Sequence, residues 1–150
     1  MVEADRSEIC ELARLAHEGT VFADMQFSTK KFSTRFDDTI NKPEHYLGLA
    51  VKSSGKSVRF CCASLGGYYI GDNANVVTVN VIATERKVRS TMLGGRAVIM
   101  LQRGIEEWAR THNAKFVLYH VTSGMNASNL DRFFRKSGLK TLGGNYGYAI

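Results

Sequence analysis

The feature that most constrains this fold is an amphipathic helix predicted over residues 95–112, between two short apolar segments. One side of this helix is apolar at helical spacing and should face a core: Ala97, Val98, Leu101, Ile105, Trp108 and Ala109. The β-branched residues 76–83 before it and the apolar residues 116–121 after it each predict a strand. A strand, a helix and a second strand in this order predict a right-handed crossover between two parallel strands.

The rest of the chain adds helices on both sides of this crossover and a hairpin. Apolar spacing and a change to strand periodicity predict two helices and then two antiparallel strands, over residues 5–18, 28–41, 46–51 and 57–65. Residues 129–136 predict a last helix closed by Gly138, and a closing strand pair is predicted about Gly143 and Gly144. These elements predict a single α/β domain with a mixed sheet.

Composition limits the class of protein and of partner. With 150 residues and 44% hydrophobic content, the chain can bury the core of one domain without disulfides or a metal. No apolar run is long enough to span a membrane and no leader segment is evident, so we expect a cytoplasmic protein without a membrane partner. The net charge of +6 favours an anionic partner, which can be a phosphorylated cofactor, nucleic acid or an acidic protein surface. The scattered basic residues do not decide among these.

The three cysteines predict no metal site and no disulfide framework. Cys10, Cys61 and Cys62 form neither a C-x-x-C motif nor a Cys/His ligand spacing. Cys61 and Cys62 are neighbours in a predicted strand, so their side chains should lie on opposite faces of the sheet. We expect free thiols in a reducing compartment.

The element order resembles the GNAT acyltransferase superfamily over nearly the whole chain. Residues 104–110 and 113–118 are similar to the family's long helix and next strand, and residues 133–139 and 143–146 to its last helix and closing strands. The compact size and the Gly-Gly-Asn-Tyr ending resemble short members encoded by bacteriophages. The resemblance implies a mixed, mostly antiparallel sheet with a splayed parallel strand pair and flanking helices, in one acyltransferase domain over residues 1–150.

The part of the resemblance that bears on function is the pyrophosphate loop before the long helix. In the family this loop has Arg or Gln, then any two residues, a Gly, any one residue, and finally Gly or Ala. Residues 89–94 match this pattern, except that Met92 stands at the position of the first Gly. Main-chain N–H groups at a helix N-terminus are unpaired donors, glycine admits a phosphate closely, and arginine adds charge-assisted bonds. The resemblance implies an acetyl-CoA site at Arg89, Ser90, Thr91, Met92, Leu93, Gly94, Gly95 and Arg96. Because the loop is longer than usual in the family, a site centred on residues 87–90 is the alternative.

The resemblance also implies contacts for the rest of acetyl-CoA. The pantetheine arm is expected along the strand before the loop, at Asn80, Val81 and Ile82. Asn126 lies where the family often has an asparagine that contacts the cofactor, with a turn or cap role as the alternative. Phe134 stands at the position of the tyrosine that is the family's usual acid, within the expected cofactor site.

Catalysis in this family transfers an acyl group from CoA directly to a neutral amine. A base helps to deprotonate the amine, and an acid can protonate the departing thiolate. Because Phe134 cannot donate a proton, the candidate catalytic residues are Tyr119, His120 and Glu85, with Tyr146 and Tyr148 as further substitutes for the missing tyrosine. A packing role for the tyrosines, a structural role for His120 and a solvated loop position for Glu85 are the alternatives.

Three functions follow from these observations. The favoured one is an acetyl-CoA-dependent N-acetyltransferase acting on an amine of a small molecule or protein, as a monomer or homodimer. The alternative is a catalytically degenerate GNAT-fold protein acting as a protein-binding or inhibitory module, because Met92, Phe134 and the long loop depart from the enzyme pattern. Binding to nucleic acid is the least favoured, because the aromatic-basic residues 57–69 lack the alternation of RNA-binding sheets.

Overall fold

The computed structural model describes residues 1–68, 70–72, 74–120 and 127–143 of the chain. Its helices and strands are α1 Arg6–His17, α2 Thr29–Asn41, β1 Tyr46–Ser53, β2 Lys56–Gly67, β3 Asn75–Thr84, α3 Met92–Thr111, β4 Ala114–Tyr119 and α4 Ala127–Lys136. Short 3-10 turns at Glu3–Asp5 and Arg86–Val88 precede α1 and α3. The predicted order of elements is confirmed as far as α4.

Several predicted boundaries were wrong by a few residues. The hairpin strands are longer, since β1 continues to Ser53 and β2 to Gly67, beyond the predicted ends at residues 51 and 65. The strand after α3 begins at Ala114 rather than Phe116. The last helix begins two residues before the predicted start. The predicted strand end at Val121 and most of the closing strand pair lie outside the described residues.

The predicted start of the long helix at Gly95 was also wrong, because α3 begins at Met92. Thr91 is the N-cap, and its Oγ1 accepts a hydrogen bond from the Gly94 N–H at 3.2 Å. A threonine in this position satisfies one of the donors that a helix start leaves open, so the helix extends back to it. Ser28 caps α2 in the same way, as predicted, through the Lys31 N–H.

The four described strands form one sheet in the order β1-β2-β3-β4, antiparallel except for the parallel pair β3–β4. β4 pairs with β3 only as far as Val79, which lies opposite Tyr119, whereas β3 continues to Thr84. Between β2 and β3 the register shifts, and Asn80 is left as the bulged residue. A bulge increases the local twist of a strand. The described ladder between the parallel strands ends at Val79 and Tyr119, the last residue of β4, and β3 continues for five residues beyond it. The mixed sheet with one parallel pair, which the resemblance implied, is confirmed.

Two apolar cores lie on the two faces of this sheet. The first packs α3 against the sheet through the buried Leu101 and Ile105, which confirms the predicted apolar face of the long helix. The second packs α1 and α2 on the other face. A fully buried side chain of this size contributes about 1.5–3 kcal/mol, so these contacts fix α3 firmly on the sheet.

The adjacent cysteines lie on opposite faces of the sheet, as predicted. Cys61 belongs to the α3 core, and Cys62 packs against the α1–α2 core. Burial raises the pKa of each thiol to about 12. Neither thiol is therefore a nucleophile at neutral pH, since the thiolate is the reactive form.

Candidate functional site

The loop between β3 and α3, residues 85–91, is tied back to the end of the sheet. The Glu85 N–H donates to the carbonyl oxygen of Val58 at 2.9 Å, which anchors the start of the loop to β2. The Arg89 Nε donates to the carbonyl oxygen of Thr84 at 3.1 Å, so the loop folds over the last residue of β3. The half-buried Val88 packs against the α3 core between these anchors. The loop thus has a defined path into α3.

The start of α3 brings main-chain donors to the surface beside this loop. The N–H groups of Gly94 and Gly95 are satisfied by the side chain and the carbonyl oxygen of Thr91. Those of Met92 and Leu93, the first two residues of the helix, have no acceptor among the described residues. They lie at the positive end of the helix dipole, which favours an anion.

Met92, the departure from the family's loop pattern, does not fill this surface. Its side chain is 79% exposed and extends into solvent. Gly94 is buried, whereas Ser90, Thr91, Gly95 and Arg96 are exposed. The structure therefore brings the predicted residues 89–96 together as one exposed turn leading into a helix.

The predicted pantetheine residues lie on the strand that leads into this loop. Asn80 and Val81 are exposed, and the Asn80 Nδ2 donates to the Ser64 Oγ at 3.0 Å. Ile82 packs against the α3 core. All three lie beyond Val79, where β3 has no strand partner on the β4 side among the described residues. The described part of the chain offers no strand partner to their main-chain groups on that side, which suits binding of an extended ligand.

Tyr119 is the last residue of β4 and lies opposite Val79, where the pairing with β3 ends. Its hydroxyl is buried and has no hydrogen-bond partner among the described residues. Burial, with smaller contributions from Cys61 and Glu106, raises the pKa of this phenol well above its usual value. The Phe134 ring packs against it, with ring centroids 5.0 Å apart. Tyr119 is therefore a protonated hydroxyl without an acceptor, held beside the residue at the family's acid position.

Of the other two predicted catalytic residues, His120 is the neighbour of Tyr119 and Glu85 lies elsewhere. His120 follows Tyr119 at the end of β4 and is exposed. Glu85 lines a pocket against α1 with Leu12, Leu15 and Ala16, whereas Tyr119 packs against the α3 core. The structure thus places Glu85 and Tyr119 against different helices. The predicted residues Asn126, Tyr146 and Tyr148 lie outside the described residues.

Arg59 is a residue of this region that the sequence-based analysis missed. It lies in β2 opposite Thr84, is only 7% exposed, and its Nε has no hydrogen-bond acceptor in the described part of the chain. Burial, and then the nearby charge of Arg89, lowers the pKa of Arg59 to about 10. The signal in the sequence was an arginine inside an apolar strand segment, between Val58 and Phe60.

Solved acetyltransferase structures share this architecture. The aminoglycoside 6'-N-acetyltransferase AAC(6')-Ig from Acinetobacter haemolyticus superposes with a TM-score of 0.73 at 16% identity, covering 100% of this chain and 94% of the other. For AAC(6')-Iy with a CoA-S-monomethyl-acetylneamine bisubstrate analogue the TM-score is 0.74 at 10% identity, over the same shares. The chain has the GNAT fold. Glucosamine-6-phosphate N-acetyltransferase from Arabidopsis thaliana is also similar, with a TM-score of 0.70 at 13% identity over 99% and 94% of the two chains.

The similarity to GNAT structures is one of shape rather than of sequence. No family model matches the chain, and none of the curated proteins compared with it matches in sequence. The GNAT fold predicted from the element order is confirmed. In addition, none of the helices in the described residues combines the length and the apolar character needed to cross a membrane.

Proposed function

We propose that this protein is an acetyl-CoA-dependent N-acetyltransferase that acetylates an amine on a small molecule or a protein. The observation that carries the proposal is that β3 continues beyond its last described pair with β4, directly before the loop and N-terminus of α3. A strand edge without a partner offers unpaired main-chain groups along its length, and the N-terminus of the helix that follows offers N–H donors to an anion. This combination suits a ligand that is extended at one end and phosphorylated at the other.

The residues at this place fit the parts of acetyl-CoA in order. The pyrophosphate would bind the N–H groups of Met92 and Leu93, with charge from Arg89 and Arg96. The pantetheine arm would lie along Asn80, Val81 and Ile82, extending β3 on its open side. The similar enzyme AAC(6')-Iy has been solved with CoA and with a bisubstrate analogue that contains CoA. The exposed Met92 leaves the approach to the loop open.

The chemistry requires a neutral amine nitrogen, which attacks the thioester carbonyl carbon as the carbon–sulfur bond breaks. The amine loses one proton and the departing thiolate gains one. We assign the second transfer to the Tyr119 hydroxyl, because it is a donor without an acceptor among the described residues and lies where the β3–β4 pairing ends. His120, exposed at the end of the same strand, is the candidate to accept the amine's proton. Glu85, on the α1 side, is better placed to contact the acceptor.

The charged side chains around Glu85 indicate which class of amine the protein would accept as its acceptor substrate. The pocket between α1 and the loop is lined by Leu12 and Leu15 and, beside Glu85, by two cations that are not assigned to the pyrophosphate, Arg86 and Lys87. Positive charge attracts anionic groups and repels polycations. We therefore propose an acceptor that carries an anionic group near its amine, in preference to a polycationic aminoglycoside.

The test is calorimetric titration with acetyl-CoA, followed by release of CoA thiol in the presence of amines. The panel should contain a phosphorylated amino sugar, an aminoglycoside and a peptide with a free N-terminus. We expect binding, and turnover fastest with the phosphorylated amine. Absence of detectable binding at millimolar acetyl-CoA would overturn the proposed function.

The alternative, a GNAT-fold binding or inhibitory module without catalysis, stays open to the same experiment. The three similar structures named above are all acetyltransferases, which gives this alternative no support. It would be favoured by a stable complex with a protein partner that survives substitution of both Arg89 and Arg96. The similarity to bacteriophage-encoded members remains a prediction. The same holds for the expectation that the protein acts as a monomer or a homodimer.

A further inference from the structure

Arg59 is a buried cation for which the described part of the chain supplies no partner. It is 7% exposed, its side chain takes part in no hydrogen bond or ion pair with another described residue, and its Nε is fully enclosed. Burying an unpaired charge is costly, and arginine buried in proteins normally has a carboxylate or a phosphate as its partner. The residue therefore calls for an anion from outside the described chain.

The position of Arg59 in the sheet indicates where such an anion would bind. Phe60 faces the α1–α2 core, whereas Val51, which lies opposite Arg59 on β1, belongs to the α3 core, so Arg59 faces the α3 side. Thr84 is the last residue of β3, and its carbonyl oxygen accepts the hydrogen bond from Arg89. Arg59 thus lies at the end of the sheet, beside the residue to which the loop that enters α3 is hydrogen-bonded.

Two observations place Arg59 electrostatically within the same site. The charge of Arg89 contributes, after burial, to the lowered pKa of the Arg59 guanidinium. The loop above it is held to the neighbouring Val58 by the hydrogen bond from Glu85. Two repelling cations beside a helix N-terminus form a region of positive potential, which a bound dianion would neutralise.

We propose that Arg59 binds the pyrophosphate of acyl-CoA from the sheet side of the loop, opposite the N–H groups of α3. This inference rests on the proposed function, and it adds a residue from β2 that is distant in sequence from the loop motif. In this arrangement the binding energy of the cofactor compensates the burial of Arg59. The free protein accordingly carries a destabilising charge, which the bound cofactor relieves.

The experiment compares Arg59→Met with the wild type, because methionine fills similar space without charge. Three ligands separate the phosphates: acetyl-CoA, acetyl-dephospho-CoA without the 3'-phosphate, and S-acetylpantetheine without the pyrophosphate. We expect affinity for the first two to fall roughly tenfold or more, as for loss of a charged hydrogen bond, and affinity for the third to stay unchanged. The thermal midpoint of the free variant should rise, since replacing a buried unpaired charge by an apolar group is stabilising. A merely structural role for Arg59 would instead lower it.

Arg103→Met is the matched control, because Arg103 is exposed on α3 away from the loop and should change neither quantity. If the wild type does not bind acetyl-CoA, the proposed function fails. If it binds and Arg59→Met binds equally well, this inference alone fails. Weaker binding of acetyl-CoA with normal binding of the dephospho ligand would overturn the assignment to the pyrophosphate. Should Arg59→Met not fold, Arg59→Lys decides: its single ammonium should weaken binding of both nucleotide ligands but not of S-acetylpantetheine.

Discussion

A methyl group on Gly94 would overlap the carbonyl oxygen of Val88 and stand 3.2 Å from that of Arg89. The loop backbone passes so close to the first turn of α3 that no side chain fits between them. We predict that Gly94→Ala displaces the loop, lowers the free energy of unfolding by about 1–3 kcal/mol and weakens acetyl-CoA binding. Chemical denaturation and calorimetry measure the two effects.

Gly95 provides the matched control for this prediction. A methyl group there would meet nothing within 4 Å, and the residue lies inside the helix. Gly95→Ala should raise the free energy of unfolding by about 0.5–1 kcal/mol, because alanine loses less backbone entropy in a helix. Equal effects of the two substitutions would contradict the close approach of Val88 to Gly94.

Arg89 is predicted to act on both the loop and the ligand. Its hydrogen bond to Thr84 holds the loop over β3, and burial followed by the charge of Arg86 lowers the pKa of its guanidinium. Arg89→Gln should weaken acetyl-CoA binding by about 1.5–3 kcal/mol, which is roughly tenfold or more in Kd. Calorimetry with acetyl-CoA and S-acetylpantetheine measures this loss; Arg103→Gln is the control. A loss as large for S-acetylpantetheine would mean that Arg89 acts only through the loop.

Tyr119 offers a test of the assigned acid. If its hydroxyl protonates the thiolate, Tyr119→Phe should lower kcat by about a hundredfold with little change in KM for acetyl-CoA. Because the hydroxyl is buried without a partner, its removal should raise the free energy of unfolding by about 1 kcal/mol. Steady-state kinetics and denaturation check the two expectations. An unchanged kcat would leave Tyr119 with a packing role.

The neighbouring Phe134 supplies the complementary variant. Its ring packs on that of Tyr119, so Phe134→Tyr places a hydroxyl at the family's acid position next to the one removed. We expect the double variant Tyr119→Phe, Phe134→Tyr to recover part of the lost kcat. No recovery, together with normal stability, would indicate that the two positions do not face the same leaving group.

Stability in acid should depend on Asp5. Its buried carboxylate contacts the Lys52 ammonium at 2.5 Å and accepts a hydrogen bond from the Val2 N–H at 2.9 Å. Both contacts lower the pKa of Asp5, and the contact with Lys52 has the larger effect. The stabilisation is therefore present above the ordinary pKa of 3.8 and is lost as the pH falls through the lower folded value. Asp5→Asn should destabilise the protein at neutral pH and make little difference in strong acid. Asp24→Asn, at an exposed position, should be neutral throughout; a pH-independent effect of Asp5→Asn would contradict the ion pair.

The sequence by itself determined the order of the elements and the nature of the fold. The spacing of Leu101 and Ile105 on the long helix, between β-branched and apolar strands, required a crossover, because such a face must be buried against a sheet. The sequence also indicated the loop from Arg89 to Gly94, because turns and helix caps are determined by residues that are neighbours in the chain. Hence α3, β3 and the surroundings of the loop were predicted to within a few residues.

Only the tertiary structure decided which distant residues share the site. The register of β2 on β3 places Arg59 opposite Thr84, and the contact between the end of β4 and α4 sets Tyr119 beside Phe134. Strand register and the depth of a side chain depend on packing across the whole sheet, which no local pattern encodes. For the same reason the sequence suggested Glu85 and Tyr119 as partners in one reaction, whereas the fold sets them against different helices.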